Sequence, residues 1–306
     1  MQSGIFLILI SMSLTPLGDA LSKHLGDSQP PILVVFARYF VAGLLACAIA
    51  LVTGRRVHLP RRGRAGFVLQ TALVVGAMAL LVRALAMVPL ALAVGGFLIA
   101  PIVATLLSVL LYRAALTLPR ALGAGLSLAG ALMILRPDTG LAENVQAGVL
   151  IALAGGALLG AFLALTRHAP QGLPALSSLA LQCLLGAAML LPFAAMQMDF
   201  RALEAALLWP VLGLGVITAM RHFLTVAAYQ RAEAAQLAPF FYFNLVAAVV
   251  VGLVWFNEVP AAFTLAGLGL ILSGGLVSLV APGLISARLR PFRSDPRTPR
   301  HISVKK

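Results

Sequence analysis

Apolar runs of about 20 residues, separated by short polar or Pro/Gly-containing stretches, follow one another along nearly the whole chain. A helix of that length crosses the roughly 30 Å hydrocarbon layer of a bilayer. The charged and Pro/Gly breaks predict ten helices, over about 4–22, 32–53, 65–82, 90–112, 120–135, 147–166, 174–195, 206–227, 235–256 and 261–284. The expected fold class is an all-α polytopic membrane protein.

Composition strengthens that reading. The 306 residues are 61% hydrophobic and only 10% charged, against about 25% charged in an ordinary soluble domain. The first run, GIFLILISMSLTPLGDALS, has no basic leading segment and carries Asp19 and Lys23, so it is expected to be a retained helix and not a cleaved signal. Cys47 and Cys183 both lie inside apolar runs, which points to small core residues, not to a disulfide framework or a metal site.

The net charge of +13 changes the picture only through its placement. With a cytoplasmic N-terminus, most of the 22 lysines and arginines fall in alternate segments on the inner side, notably RRVHLPRRGR and the tail ARLRPFRSDPRTPRHISVKK. The outer segments carry Asp27, Asp138, Glu143, Asp199, Glu204 and Glu258. This is the positive-inside asymmetry, so both termini are expected in the cytoplasm, of a cell whose inner membrane holds the chain. The basic tail then serves as a topology anchor that attracts anionic lipid; nucleic acid is not an expected partner.

A constant offset relates the two halves. The shift that carries Gly4 onto Gly148 also carries Lys23–His24 onto Arg167–His168, Pro30 onto Pro174, Ala84 onto Ala228, and Gly123, Gly125 and Gly130 onto Gly267, Gly269 and Gly274. Each copy holds five of the predicted helices, and an odd number inserts the second copy upside down. Residues 1–140 and 141–284 are thus expected to be inverted repeats, followed by the tail 285–306. Inverted repeats are an architecture of secondary transporters, with a site near the midplane where the halves meet.

The segments PPILVVFARYFVAGLL, ALAMVPLALAVGGFLIAPIVATLLSVLLYRAALTLPRALGAGLSLAGALMIL and AYQRAEAAQLAPFFYFNLVAAVVVGLVWFNEVPAAFTLAGLGLILSGGLVSL resemble the two EamA domains of the drug/metabolite transporter superfamily. The resemblance spans about residues 4–281. It implies a ten-helix permease for small organic compounds and no cofactor. The acid that family members often carry after the fourth helix is here Ala114, while its counterpart remains as Glu258.

Polar residues inside the apolar runs are the candidate site, because charges in a bilayer are costly and commonly face a water-filled pathway. Asp19 and Lys23 share one helix face and can neutralise each other, with Lys23 reaching toward the outer surface. Alternatively Asp19 contacts a cationic group or a coupling proton. Arg38 can grip a substrate carboxylate through its guanidinium fork, or pair with Asp19 from the next helix; the resemblance also implies an arginine there. Its repeat counterpart is Gln182. In MRHFLTVAAYQ, His222, Thr225 and Tyr229 fall on one helix face with Arg221 beside them; His222 is either a hydrogen-bonded structural residue or a proton-sensitive group. QLAPFFYFNLV opens the ninth helix with Pro239, and VGGFLIAPI gives the fourth helix Pro101. Interrupted helices in corresponding positions point to a binding site, with Tyr242 and Asn244 as hydrogen-bonding groups and Phe240 and Phe243 against an apolar substrate group.

These features favour a secondary active permease for a small amphipathic organic metabolite, such as an amino acid or derivative, with export favoured by analogy. A lipid-acting enzyme would need a nucleophile with a base, or paired carboxylates in a span, and the spans hold no such cluster. A non-transporting scaffold would require the intramembrane polar groups to satisfy one another. Substrate identity, coupling ion, direction and oligomeric state are not written in the sequence.

Overall fold

The computed structural model describes residues 2–55, 57–58, 63–112, 118–134, 143–166, 175–197, 208–229, 240 and 242–288. All regular structure among them is helical. The long α-helices are Gln2–Gly26 (α1), Pro31–Val52 (α2), Arg64–Leu85 (α3), Leu90–Phe97 (α4), Ala100–Tyr112 (α5), Leu118–Ile134 (α6), Glu143–Thr166 (α7), Ala175–Gln197 (α8), Leu208–Tyr229 (α9), Phe243–Phe256 (α10) and Ala262–Arg288 (α11). Seven helical spans are long and apolar enough to cross a membrane, with α4 and α5 counted together; three more apolar helices, Ala121–Met133, Phe243–Phe256 and Ala262–Val277, are shorter. Together they fall where the apolar runs predict helices.

Proline and asparagine set several boundaries. Pro31 occupies the first turn of α2 and Pro89 caps α4, positions where a missing N–H removes no helical bond. Asn257 ends α10 in the left-handed region at φ 54°, turning the chain back so that the Glu258 N–H donates to the Gly252 carbonyl at 3.0 Å. The break in the fourth run lies at Leu98–Ile99, between the glycines and the Pro101 of VGGFLIAPI. There the ladder tightens to three-residue steps, with Ile99 N–H on Gly96 O at 3.4 Å and Ile102 N–H on Ile99 O at 2.9 Å. Pro101 sits in the first turn of α5.

All eight residues of α4 are buried. A helix apolar on every side belongs in the interior, and α4 packs among α3, α7 and α10. A second core joins α1, α2, α8 and α9 through Leu21, Leu25, Val35, Ala42, Cys183 and Leu214. The outer rim exposes large apolar side chains such as Phe6, Leu51, Phe223 and Val254, a surface suited to lipid tails and not to water.

The helix partnerships repeat across the two halves. Helix α6 packs on α11 and α2 on α8, while α1 packs on α9 as α3 packs on α7. The α6–α11 crossing is close and antiparallel. A Cβ at Gly130 would stand 2.5 Å from the Gly267 carbonyl oxygen, and one at Gly274 would stand 2.5 Å from that of Gly123. Only glycine lets these backbones meet. Midway between, the Ser127 hydroxyl donates to the Ile271 carbonyl at 3.2 Å, at the same offset that relates Gly123 to Gly267.

Candidate functional site

Polar side chains of α1, α2 and α9 come together around Asp19, Arg38 and Arg221, while Lys23 of α1 meets Glu258 just past the end of α10. Helix α1 carries Ser11, Thr15, Asp19 and Ser22 at three- and four-residue spacings, hence along one face. Ser11, Asp19 and Ser22 are buried. Thr15 and Ser22 donate back to the carbonyls of Ser11 and Gly18 at 3.0 and 2.9 Å, so their hydroxyls are satisfied within the helix. Pro16 lies inside α1, which removes the N–H that would have served the Met12 carbonyl.

Asp19 pairs with Arg38 of α2, whose Nη1 donates to Asp19 Oδ1 at 3.2 Å. Both side chains are at least 95% hidden. Mutual neutralisation of Asp19 and Lys23 along α1 is therefore corrected: the spacing is present, but each charge has a partner on another element. Lys23 Nζ pairs with Glu258 Oε1 and donates to the Val88 carbonyl at 2.9 Å, and it stands 5.2 Å from the Phe256 ring centre. Its ammonium is thus held by protein groups and does not reach outward alone. Glu258 Oε2 accepts the Leu90 N–H at 2.7 Å. The residue that reads in sequence as a loop acid fills the N-terminus of α4, where a free backbone donor and the helix dipole favour a carboxylate.

Arg221 of α9 anchors a third polar group through its backbone. Its carbonyl accepts the Ser11 hydroxyl at 2.9 Å and the Thr225 hydroxyl at 2.9 Å, and the two hydroxyls lie 2.7 Å apart. Its guanidinium lies within electrostatic reach of Asp19, Arg38, Tyr39 and Cys183. Its Nε is buried without a hydrogen-bond partner. The two ion pairs among the described residues leave it out.

His222 is half-buried next to Arg221, and Asp19, one acid that could have served it, is engaged with Arg38. Glu233, the other, lies outside the described residues, as do Pro239 and the side chain of Tyr229. Gln182 is half-buried on α8 beside the buried Cys183. Tyr242 is 2% exposed, with its ring laid against Gly275 so closely that a Cβ there would overlap it. The Tyr242 hydroxyl and Asn244 Oδ1 are buried without partners. Phe243 is turned partly outward and Phe240 packs on the cluster of Ile8, Met12 and Ala228.

Sequence reasoning missed Ser11 and the inward turn of Glu258. Ser11 was findable, since it extends the Thr15–Asp19 row by one turn. Glu258 was not, because only the fold brings it to Leu90 and Lys23.

The comparisons with known proteins agree with this architecture. No curated protein matches the chain. Among solved structures, one titled "Crystal structure of protein" superposes with a TM-score of 0.63 over 95% of this chain and 98% of its own, at 20% identity, which shows a shared fold. The EamA-like transporter family matches twice, over residues 2–136 and again over 146–280. The chain therefore belongs to the EamA-like transporter family and is a multi-pass membrane protein of a transporter class.

Proposed function

We propose that the protein is a secondary active transporter of the inner membrane. It moves a small amphipathic organic metabolite, with an amino acid or derivative favoured and export the favoured direction, by alternating access of two five-helix halves. One observation carries the reading: Asp19, Arg38 and Arg221 gather inside apolar helices where α1, α2 and α9 meet. Charges are retained at such depth where a polar solute or ion must be handled. The partnerless Arg221 Nε, Tyr242 hydroxyl and Asn244 Oδ1 argue against a scaffold whose polar groups satisfy one another.

The topology within this proposal is ten spans in two inverted copies with both termini cytoplasmic. Antiparallel packing of α6 on α11, with Gly130 facing Gly267 and Gly274 facing Gly123, is the contact expected of a two-fold axis in the membrane plane. Positive residues on alternate loops support the orientation. A proton is the proposed coupling ion.

The test is flux into liposomes containing the purified full-length protein, across a panel of labelled amino acids and derivatives, with and without a pH gradient. Saturable, gradient-dependent flux of at least one compound is expected. Absence of flux across the panel, with the protein shown folded, overturns the proposal.

A further inference from the structure

The buried charges do not balance. Asp19 is spent on Arg38, and Lys23 is spent on Glu258. Arg221 is left with no carboxylate among the described residues, and its Nε has no acceptor of any kind. Lysine or histidine in that position could shed a proton, but arginine stays charged under all biological conditions. A half-buried guanidinium whose hidden Nε has no acceptor is disfavoured, so among the described residues the arrangement lacks an anion.

The Ser11 hydroxyl donates to the Arg221 carbonyl and so ties α9 to α1 at the root of that side chain. Its guanidinium shares its electrostatic neighbourhood with Arg38 and Asp19, together one positive charge in excess. A cation seated there would meet two guanidinium groups and a carboxylate already engaged. A zwitterion would bring no net compensation. A monoanion restores neutrality.

We propose that Arg221 is the anchor for an oxyanion of the transported compound, and that the substrate class is small amphipathic carboxylates of net negative charge. This rests on the transporter reading above and narrows it: an amino-acid derivative suits the site when its amine is blocked or missing. The carboxylate would face Arg221 through two parallel N–H···O bonds, the geometry for which arginine is adapted. Arg38 stays on Asp19 and contributes field, not contact.

The experiment uses three probes that share a phenyl group and differ in charge: 3-phenylpropanoate, phenylalanine and phenethylamine. Binding to the purified full-length protein in detergent is measured by calorimetry, and flux in liposomes is measured separately. 3-Phenylpropanoate is expected to bind most tightly, and Arg221→Met should weaken it by about tenfold or more, the worth of one charge-assisted pair. Arg221→Lys should recover part of the loss. Without ligand, Arg221→Met should raise the melting temperature, because it removes an unpaired buried charge. Preference for phenylalanine or phenethylamine, equal binding by Arg221→Met, failure of all three probes to bind, or a fall in the ligand-free melting temperature of Arg221→Met each overturns the anion site. A fall would mean that Arg221 already has a protein partner. Arg221-dependent binding of 3-phenylpropanoate with no flux of any probe sustains the anion site while overturning transport. Flux of the amine or the zwitterion alone does the opposite.

Discussion

Two ion pairs leave α1 one helical turn apart, and they differ in what they join. Asp19–Arg38 lies inside the first family match, between α1 and α2, with side chains 3% and 5% exposed. Lys23–Glu258 runs from the first match to the second, with side chains 15% and 18% exposed. It also ties in the Val88 carbonyl and the N-terminus of α4. The first pair can travel as a unit with its half of the molecule. The second spans the seam between halves, so any rocking of one half against the other must stretch or break it. Burial and connectivity thus separate a pair internal to one repeat from a pair that joins the two.

The deepest expected break in that contrast is at Asp19. Removing one member of a buried pair strands the other, so Asp19→Asn and Arg38→Met should each cost about 3–5 kcal/mol. The combined variant should recover most of that loss, since neither member of the pair is then left without the other. Thermal melting of the three variants in detergent checks this; additive losses in the double variant would show that the pair is not the source of the effect. Asp19→Asn with Lys23→Met should instead be close to additive, because the two residues have separate partners.

Glu258→Gln should act more weakly, at about 1–2 kcal/mol, since the amide oxygen can still accept the Leu90 N–H while the charge facing Lys23 is lost. Salt sharpens the comparison. The partly exposed pair is screened and the buried one is not. The difference in melting temperature between the wild type and Glu258→Gln should therefore shrink from low to high ionic strength, while that for Asp19→Asn stays constant. Lys23→Met and Glu258→Gln together should cost less than the sum of the singles.

A steric test follows on α11. Gly275→Ala would drive a methyl group into the Tyr242 ring, and such overpacking costs about 1–3 kcal/mol. It should displace Tyr242 with no direct effect on either ion pair. Melting measured in Gly275→Ala and in Gly275→Ala with Tyr242→Phe distinguishes ring crowding from loss of the hydroxyl. Because the buried hydroxyl has no partner among the described residues, Tyr242→Phe alone should be neutral or slightly stabilising.

The fold was legible because a bilayer reduces it to one variable. Backbone groups in hydrocarbon must be satisfied within the helix, so runs such as Pro31–Val52 and Leu176–Gln197 can be read from hydropathy alone. The glycine offset was legible for a related reason: Gly123, Gly130, Gly267 and Gly274 recur at fixed positions where backbones must approach. The site was less so. Sequence spacing suggests Asp19 with Lys23, a local pairing, and offers Arg38 of the next helix as an alternative partner for Asp19; side-chain partners in a bundle are chosen by which helices adjoin, and the structure takes the alternative. That adjacency places Arg38 against one charge and Glu258 against the other. The break in the fourth run falls within VGGFLIAPI, but on its Gly96–Ile99 turn, because proline within the first turn of α5 disturbs no helical bond.

The smallest effect belongs to Ser11, and it bears on how firmly α9 is held to the half that carries Asp19. The Ser11 hydroxyl donates to the Arg221 carbonyl, which also accepts from the Thr225 hydroxyl and from the helix backbone, so that oxygen stays paired when Ser11 is truncated. Interhelical hydrogen bonds in membrane proteins contribute about 0.6 kcal/mol on average, because the reference state also finds partners. Ser11→Ala should therefore lower stability by about that amount, and Thr225→Val should do the same. The double variant still leaves the Arg221 carbonyl its helical bond from the backbone four residues on, so it should cost no more than the two singles combined. Thermal melting decides the stability side, and the affinity for 3-phenylpropanoate decides whether fixing the root of Arg221 matters for binding. A double variant that melts lower yet binds the probe as before would show that the α1–α9 bond secures the helices and that the guanidinium is positioned by other contacts.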